Sequence, residues 1–552
     1  MVENDYRDTR FLIIDDFESF QKILKRILHS LNAKHIDTAL NAAKAISACE
    51  EQKYDVIFCD FDLGRGANGL QLFEELRHSE LIGQGTVFIM ITAESSKDAV
   101  VGALEYKPDA YMNKPISAGE LKSRLLKCLR QKEALKPIYS RLDDGDYQKA
   151  LKLCDEHIEN KSRHKNWCLK TKGSIFQKLA RWNQAQTLYE GVLADRPLFW
   201  AQIGYAQVLA AQGLDEEALM AYKQCYQDNP QSLEAYEGAA RMLIKLGDSI
   251  AAQKLLEQTS SISSRSYERQ KFLAEICNMN GDYEGAVQAY KQVVKVAQNS
   301  FHESEENEID LADNLTEAAI HSEDAEKTQD YAKQALDTLS NTQKNTNDND
   351  IKLQSKLIES RAYSSIDDQE NANQSLMEAE QKIEALGTQP NLRTNLELAK
   401  SLLQNGQKEK AFTLLRELAH HYRDDPEISA KLDRLVDEPV SKAGKAEVVK
   451  INKEGIKLFD KGDYIGAAQT FIKATQQFPK HIGIRLNIIQ AMLYDMKGTK
   501  PTLNKLERCD QHLLVVKNLK ESHPQFKRYM SFKKATEALH QHLQPKDSSN
   551  GK

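Results

Sequence analysis

From about residue 140 onward, a small residue and an alanine five positions later recur at one spacing: Gly145/Ala150, Ala180/Ala185, Gly213/Ala218, Gly247/Ala252 and Gly281/Ala286. The alanines follow one another at intervals of 35, 33, 34 and 34 residues. Four residues past each alanine stands a larger side chain: Cys154, Tyr189, Tyr222, Leu256 and Tyr290. Pro197 and Pro230 close two of the units. Self-similarity at this period admits few folds, because one helix–turn–helix unit cannot bury its apolar face alone and must stack on its neighbours. In this reading the small residue lets the two helices of a pair approach at the turn, and the large one fills the gap to the next pair.

Phased in this way, ARWNQAQTLYEGVLADRP, GLDEEALMAYKQCYQDNP and GDYEGAVQAYKQVV resemble tetratricopeptide (TPR) repeats. The resemblance implies an all-α TPR-type helical solenoid. The rhythm fades between Gly285 and Gly387, a very polar stretch without glycine or proline, where NTQKNTNDND (341–350) reads as a solvated loop. Within ENANQSLMEAEQKI only Ala372, Leu376 and Ala379 keep the expected offsets. Units return at Gly406/Ala411/Leu415 and Gly462/Ala467/Phe471, with Pro479 after the latter. Roughly nine helix pairs follow from the period, with closing helices to about 543 and a disordered tail, QPKDSSNGK.

Residues 1–130 have a different rhythm. FLII (11–14), DVIFC (55–59), TVFIMI (86–91), AYM (110–112) and a weaker run near His35–Thr38 read as strands, with a helix over roughly 17–31. Short apolar runs between amphipathic stretches predict a five-stranded parallel sheet covered on both faces, a doubly wound α/β fold. Such a sheet gathers its functional groups at the carboxyl ends of its strands. There the sequence places Asp15 and Asp16, Asp60, Thr92, and Lys114 followed by Pro115. A carboxylate cluster without His or Cys suits a hard cation such as Mg²⁺. The metal and a lysine ammonium would neutralise an incoming phosphoryl group.

These residues resemble the receiver domain of two-component response regulators, a CheY-like (flavodoxin-like) module, over the whole first 130 positions. The resemblance implies that Asp60 is the phosphoacceptor and that Asp15, Asp16, Asp60 and the backbone carbonyl of Asp62 serve Mg²⁺. Thr92 would be the switch hydroxyl, Ala93 its small neighbour, Tyr111 the aromatic that changes rotamer, and Lys114 the phosphoryl ligand, with the Lys114–Pro115 bond usually cis. Two positions depart from the pattern. Gly64 stands where the family usually has proline, and the loop from Asp60 to Asn68-Gly69 is one residue longer than the common form. Gly64-Arg65-Gly66-Ala67-Asn68-Gly69 also spells GxGxxG, but it follows an internal strand rather than the first. A flexible loop beside the acidic cluster explains it better than dinucleotide binding.

The expected organisation is a receiver over 1–132, a linker over 133–140 with Pro137 ending the preceding helix, and regular repeats over 141–300. Degenerate helical repeats over 301–390, C-terminal TPR-like units over 391–543 and a tail over 544–552 complete it. The net charge of −6 argues against a general nucleic-acid or anionic-membrane binder. No run approaches the ~20 apolar residues that cross a bilayer, and the N-terminus lacks a signal pattern, so a cytoplasmic protein is expected. Eight scattered cysteines without a CxxC pair read as free buried thiols. His420-His421 and His540-x-His542 read as solvated surface, and Trp167, Trp182 and Trp200 as packing between repeats. The Lys/Asn set of carboxylate-clamping TPR domains is absent at Lys170/Ser174, Ile203/Gln207, Glu237/Arg241 and Lys271/Glu275. No enzyme motif occurs after residue 140.

The expectation is therefore a bacterial response regulator, not an enzyme. A sensor histidine kinase would phosphorylate Asp60, and a face near residues 96–129 would change and act on an unknown protein target of the repeats. Two alternatives stay open: an inhibitor or phosphate sink that holds a kinase or companion regulator, and a scaffold with a vestigial receiver.

Overall fold

The computed structural model describes residues 6–93, 107–387, 389–499, 501–517 and 519–543. The sheet comprises β1 (Arg10–Ile14), β2 (His35–Ala39), β3 (Val56–Asp60), β4 (Val87–Thr92) and β5 (Ala110–Asn113), all parallel, in the order β2-β1-β3-β4-β5. Alternation along each strand divides its side chains between two cores. Leu12, Ile14, Ile57, Cys59, Phe88 and Met90 pack beneath α2 (Ala42–Glu51) and α3 (Gly69–His78). Phe11, Ile13, Val56, Phe58, Ile89 and Ile91 pack on the other face with Leu24 and Leu28 of α1 (Glu18–Ser30). The strands therefore read as continuous apolar runs, and all five lie where the sequence places them.

The predicted linker over 133–140 is not a linker. Ala118–Asp143 is one helix of 26 residues with Pro137 inside it. Its first half buries Leu121, Leu125 and Cys128 in the receiver core, and its second half buries Leu135, Ile138 and Tyr139 in the first repeat core. A proline inside a helix costs about 3 kcal/mol. Here both Pro137 and Glu133, whose carbonyl loses its intrahelical donor, are exposed, so water can serve that carbonyl. Burying three large side chains at about 1.5–3 kcal/mol each outweighs the loss. The last receiver helix is thus also the first helix of the repeat that turns at Gly145.

Only helices follow among the described residues, ending at Phe526–Leu543. The chain divides into two compact units. The first is Met1–Met242 with Lys254–Gln270 and Gln292–Glu303; the second is Leu243–Gln253 with Lys271–Lys291 and Ser304–Lys552. In both, the aligned alanines are fully buried: Ala150, Ala185, Ala218, Ala252, Ala286, Ala411 and Ala467.

The small residues at the turns have a different reason from the one expected. Gly145, Ala180, Gly213, Gly247 and Gly281 all have positive φ, between 53° and 85°. A Cβ at Gly145, Gly213 or Gly281 would meet nothing within 4 Å. The turn therefore selects a left-handed backbone rather than a close approach. Close approach occurs instead on the first helices of the pairs. A Cβ at Gly173 or Gly204 would lie 2.4 Å from the Tyr189 ring system, and one at Gly238 would lie 2.3 Å from Tyr222. Tyr189 and Tyr222, four residues past Ala185 and Ala218, each lie in a notch that only glycine leaves open. Trp167 and Trp200 pack edge-on to Tyr139 and Tyr189, as expected of packing between repeats.

In the second unit the polar stretch read as a loop is helical. Ala325–Asn345 and Asn349–Ser365 are separated by three residues, and Asp348 caps the second helix through the N–H groups of Asp350 and Ile351. Thr346 Oγ1 donates to Glu305 at 2.5 Å and Thr342 Oγ1 to Glu308 at 2.8 Å, so buried polar groups are satisfied between helices. The 34-residue period fails here because the helices lengthen to 17–21 residues, with pairs starting at Glu305 and Asn349. Alanine–aromatic contacts give way to charge. Arg361, 1% exposed, donates to Asp313, Glu317 and Glu397, and Lys400 reaches Asp313 and Glu397 at 2.9 and 2.6 Å. His540, read as solvated, hydrogen-bonds Asp510 at 2.6 Å. All eight cysteines are buried and unbridged, and no described helix is long and apolar enough to cross a membrane. The tail over 544–552 lies outside the described residues.

Gly238→Ala is expected to lower the stability of the repeats by about 1–3 kcal/mol, because a methyl there must displace the Tyr222 ring. Gly191→Ala, in a helix with open space around it, should be neutral or stabilising by up to about 1 kcal/mol. Urea midpoints of the two variants, shifting in opposite directions or differing by this margin, check the assignment.

Candidate functional site

Three strand ends supply the site. Asp15 and Asp16 follow β1, Asp60 ends β3, and Lys114 follows β5. Asp15 and Asp60 are buried at 1% and 5% exposure. The Lys114 ammonium spans them, donating to Asp15 Oδ2 at 2.8 Å and to Asp60 Oδ2 at 2.6 Å. Its backbone N–H donates to the Thr92 carbonyl at 2.7 Å, which fixes the residue against β4. Phe20 of α1 lies under the ammonium at 4.2 Å, a cation–π contact that spacing alone did not reveal. Lys114–Pro115 is a cis peptide, as the resemblance implies.

The backbone around the carboxylates is held from both sides. Asp15 Oδ1 accepts the Phe17 N–H at 2.9 Å, and Gln21 Nε2 donates to the carbonyls of Asp15 and Ala39 at 2.7 and 2.9 Å. Phe61 donates its N–H to Ile91 at 2.8 Å and accepts that of Gly69 at 2.8 Å. A Cβ at Gly69 would lie 2.1 Å from the Asp60 carbonyl oxygen, so glycine is compulsory where α3 begins. The departure at residue 64 has its explanation here. Gly64 has φ +73°, a region closed to proline, and a side chain there would crowd Asp16 Oδ2 at 3.2 Å. The longer loop takes a path that proline could not follow. The glycines of the GxGxxG spelling thus serve a turn and a close backbone approach.

The electrostatics follow from burial. Burial, then the charge of Asp15, raises the Asp16 carboxyl above its usual range. Burial raises that of Asp60 to about 6 against the lowering effect of Lys114, and it remains a carboxylate at neutral pH. Burial alone would lower Lys114, but its hydrogen bonds to Asp15 and Asp60 outweigh that and hold it above its ordinary value.

The donor set fits a hard divalent cation. Ligand oxygens of Asp15, Asp16 and Asp60 lie within 4.8 Å of one another. Asp16 Oδ1 is buried without a hydrogen-bond partner among the described residues, an uncompensated acceptor where a cation would sit. The Asp62 side chain is exposed and accepts the Gly64 N–H at 3.0 Å.

The structure brings together Asp15, Asp16, Asp60 and Lys114. Thr92 is buried at the end of β4, in register with Asn113, and Ala93 follows it at the surface. Tyr111 is half-buried against the core beneath α2 and α3. Residues 94–106, the larger part of the β4–β5 connection and of the expected signalling face, lie outside the described residues.

Residues 11–126 match the family model for the response regulator receiver domain, and residues 199–242 match a tetratricopeptide repeat model. The chemotaxis protein CheY-3 of Vibrio cholerae is 27% identical over 119 residues, covering 22% of this chain and 90% of that protein. The chemotaxis protein CheY of Pseudomonas aeruginosa is 27% identical over 118 residues, covering 21% and 94%. Among solved structures, a CheY-like receiver domain protein from Methanospirillum hungatei is 25% identical, covering 23% of this chain and 97% of its own, with a TM-score of 0.21. The N-terminal module is a CheY-like receiver domain, and receiver domains generally bind Mg²⁺ at such an acidic pocket.

Mg²⁺ at ten times its dissociation constant is expected to stabilise the receiver by about 1.4 kcal/mol. Asp16→Asn, which removes the charge of the carboxylate whose Oδ1 lacks a partner, should abolish the shift. Thermal melts with and without Mg²⁺ check this, and an equal shift in both proteins would remove Asp16 from the ligand set.

Proposed function

We propose that this chain is a two-component response regulator that accepts a phosphoryl group on Asp60 from a sensor histidine kinase. Its output is a contact between its TPR-type repeats and another protein. The observation that carries the first half is the Lys114 ammonium placed on both Asp15 and Asp60 beside the unpartnered oxygen of Asp16. The repeats carry the second half, since stacked helix pairs present an extended surface and no enzyme motif accompanies them.

In this reading an Asp60 carboxylate oxygen attacks phosphorus as the bond from phosphorus to the donor nitrogen breaks. The departing imidazole keeps that electron pair. Lys114, already within hydrogen-bond reach of Asp60, passes to a phosphoryl oxygen and remains with it. Asp15, Asp16 and Asp60, with the Asp62 carbonyl, would hold Mg²⁺, which would supply charge compensation for the phosphoryl oxygens. Asp15 keeps the Lys114 amine oriented, and Phe20 covers the other side of its ammonium. Thr92, Ala93 and Tyr111 form the switch by which the modified state is recognised. The chain catalyses nothing beyond its own phosphorylation and dephosphorylation, and acts in the bacterial cytoplasm.

Incubation with a small acyl phosphate and Mg²⁺ is expected to add one phosphoryl group to the wild type and none to Asp60→Asn, read by intact mass. Equal labelling of both would exclude Asp60 as the acceptor.

A further inference from the structure

Within the first unit, α3 has a second face besides the one it buries in the receiver core. Gln71, Glu74 and His78 stand at helical spacing on it, and each touches the segment that ends the helix Tyr283–Ala297. Gln71 Nε2 donates to the carbonyls of Val296 and Gln298 at 3.0 and 3.1 Å, capping that helix where its carbonyls lack intrahelical donors. Through Oε1 the same side chain accepts the Asn68 N–H at 2.9 Å, completing the capping box of α3. Glu74 meets His302 Nε2 at 3.4 Å, and the His78 ring stacks on Phe301 at 4.6 Å. Arg265 lies over the Phe61 ring at 5.0 Å. A cavity of about 280 Å³, lined in part by Asn68, Gln71, Glu74, Arg265, Tyr267 and Lys295, separates the two sides.

This contact is joined directly to the phosphoacceptor. Phe61 is the next residue after Asp60, and Gly69, the first residue of α3, abuts the Asp60 carbonyl too closely for a side chain. Any displacement of the Asp60–Phe61 backbone must move the N-terminus of α3 and therefore Gln71. The sign of the coupling follows from charge. Phosphorylation replaces the single charge of the Asp60 carboxylate with about two on the phosphoryl group, and on the repeat side Arg265 stands over the Phe61 ring while Lys295 lines the cavity. Glu74, one of two carboxylates on α3, already faces His302.

We propose that the Gln71–Glu74–His78 face of α3 is the internal docking surface through which phosphorylation of Asp60 is read by residues 264–270 and 292–302, and that phosphorylation tightens this contact. The inference rests on the reading of Asp60 as phosphoacceptor. By reciprocity, a contact that phosphorylation tightens must itself favour the phosphorylated state. The route differs from the face near residues 96–129 expected from the sequence.

The test uses the full-length protein with a small acyl phosphate and Mg²⁺. Amide exchange in residues 296–302 should slow on labelling in the wild type and stay unchanged in Asp60→Asn. Arg265→Gln and Gln71→Ala should lower the labelled-to-unlabelled ratio of Asp60 at a fixed ratio of acyl phosphate to its released carboxylate by about fivefold. Phe301→Ser, which leaves every receiver residue in place, guards against misfolding of the receiver and should act in the same direction. If the wild type is labelled on Asp60 but neither exchange nor the labelled-to-unlabelled ratio changes, the inference fails and the phosphoacceptor reading stands. If the wild type is not labelled, the phosphoacceptor reading fails and this inference falls with it.

Discussion

The site depends on one ammonium holding two carboxylates at the edge of a sheet. Asp15 and Asp60 are nearly inaccessible to water, and like charges so placed repel each other. The Lys114 ammonium offsets this repulsion only because β3 lies between β1 and β4, and β5 beyond β4, so that three strand ends meet. The Lys114 backbone is tied to β4, and its side chain reaches over to the other two strands. Strand order, loop glycines and acidic cluster are therefore one arrangement. A lysine elsewhere on that edge would leave two buried anions unpaired.

Much of this was legible in the sequence for a definite reason. The residues at β-strand ends follow from apolar-run patterning, and an acidic pair, an Asp, a Thr and a Lys-Pro after the strands leave little freedom. Phe20 and Gln21 were not legible, since their roles arise from how α1 crosses the edge of the sheet. Gly69 was visible as a glycine, but only coordinates show that the Asp60 carbonyl excludes a side chain there. The proline missing at Gly64 looked like a defect and is a consequence of the positive φ that the longer loop imposes.

The repeats show where pattern reading succeeds and where it loses its object. Alanine and aromatic positions were found at the right offsets because volume complementarity repeats with the chain. The glycine notches at Gly173, Gly204 and Gly238 were overlooked because they sit on the preceding or following helix, outside the motif that was aligned. Between residues 305 and 386 the helices lengthen, and the Arg361–Asp313–Glu317–Glu397 cluster adds buried charge to the apolar contacts of Leu315, Ala335 and Ala362. Buried ion pairs of this kind add little net stability over apolar packing but are costly to break singly, which favours one register over others. Polarity there had suggested a loop; it marks an interface of another chemistry.

The helix Ala118–Asp143 carries a last consequence. Its two ends belong to different cores, with Cys128 the last residue buried in one and Leu135 the first buried in the other. A straight helix advances about 1.5 Å and turns about 100° per residue. The number of residues between those two cores therefore sets a phase angle. Inserting or deleting a single residue there would leave each core chemically intact while rotating one against the other by more than a quarter turn. Evolution of such a chain can therefore change the length of this rod only in steps close to a whole number of turns.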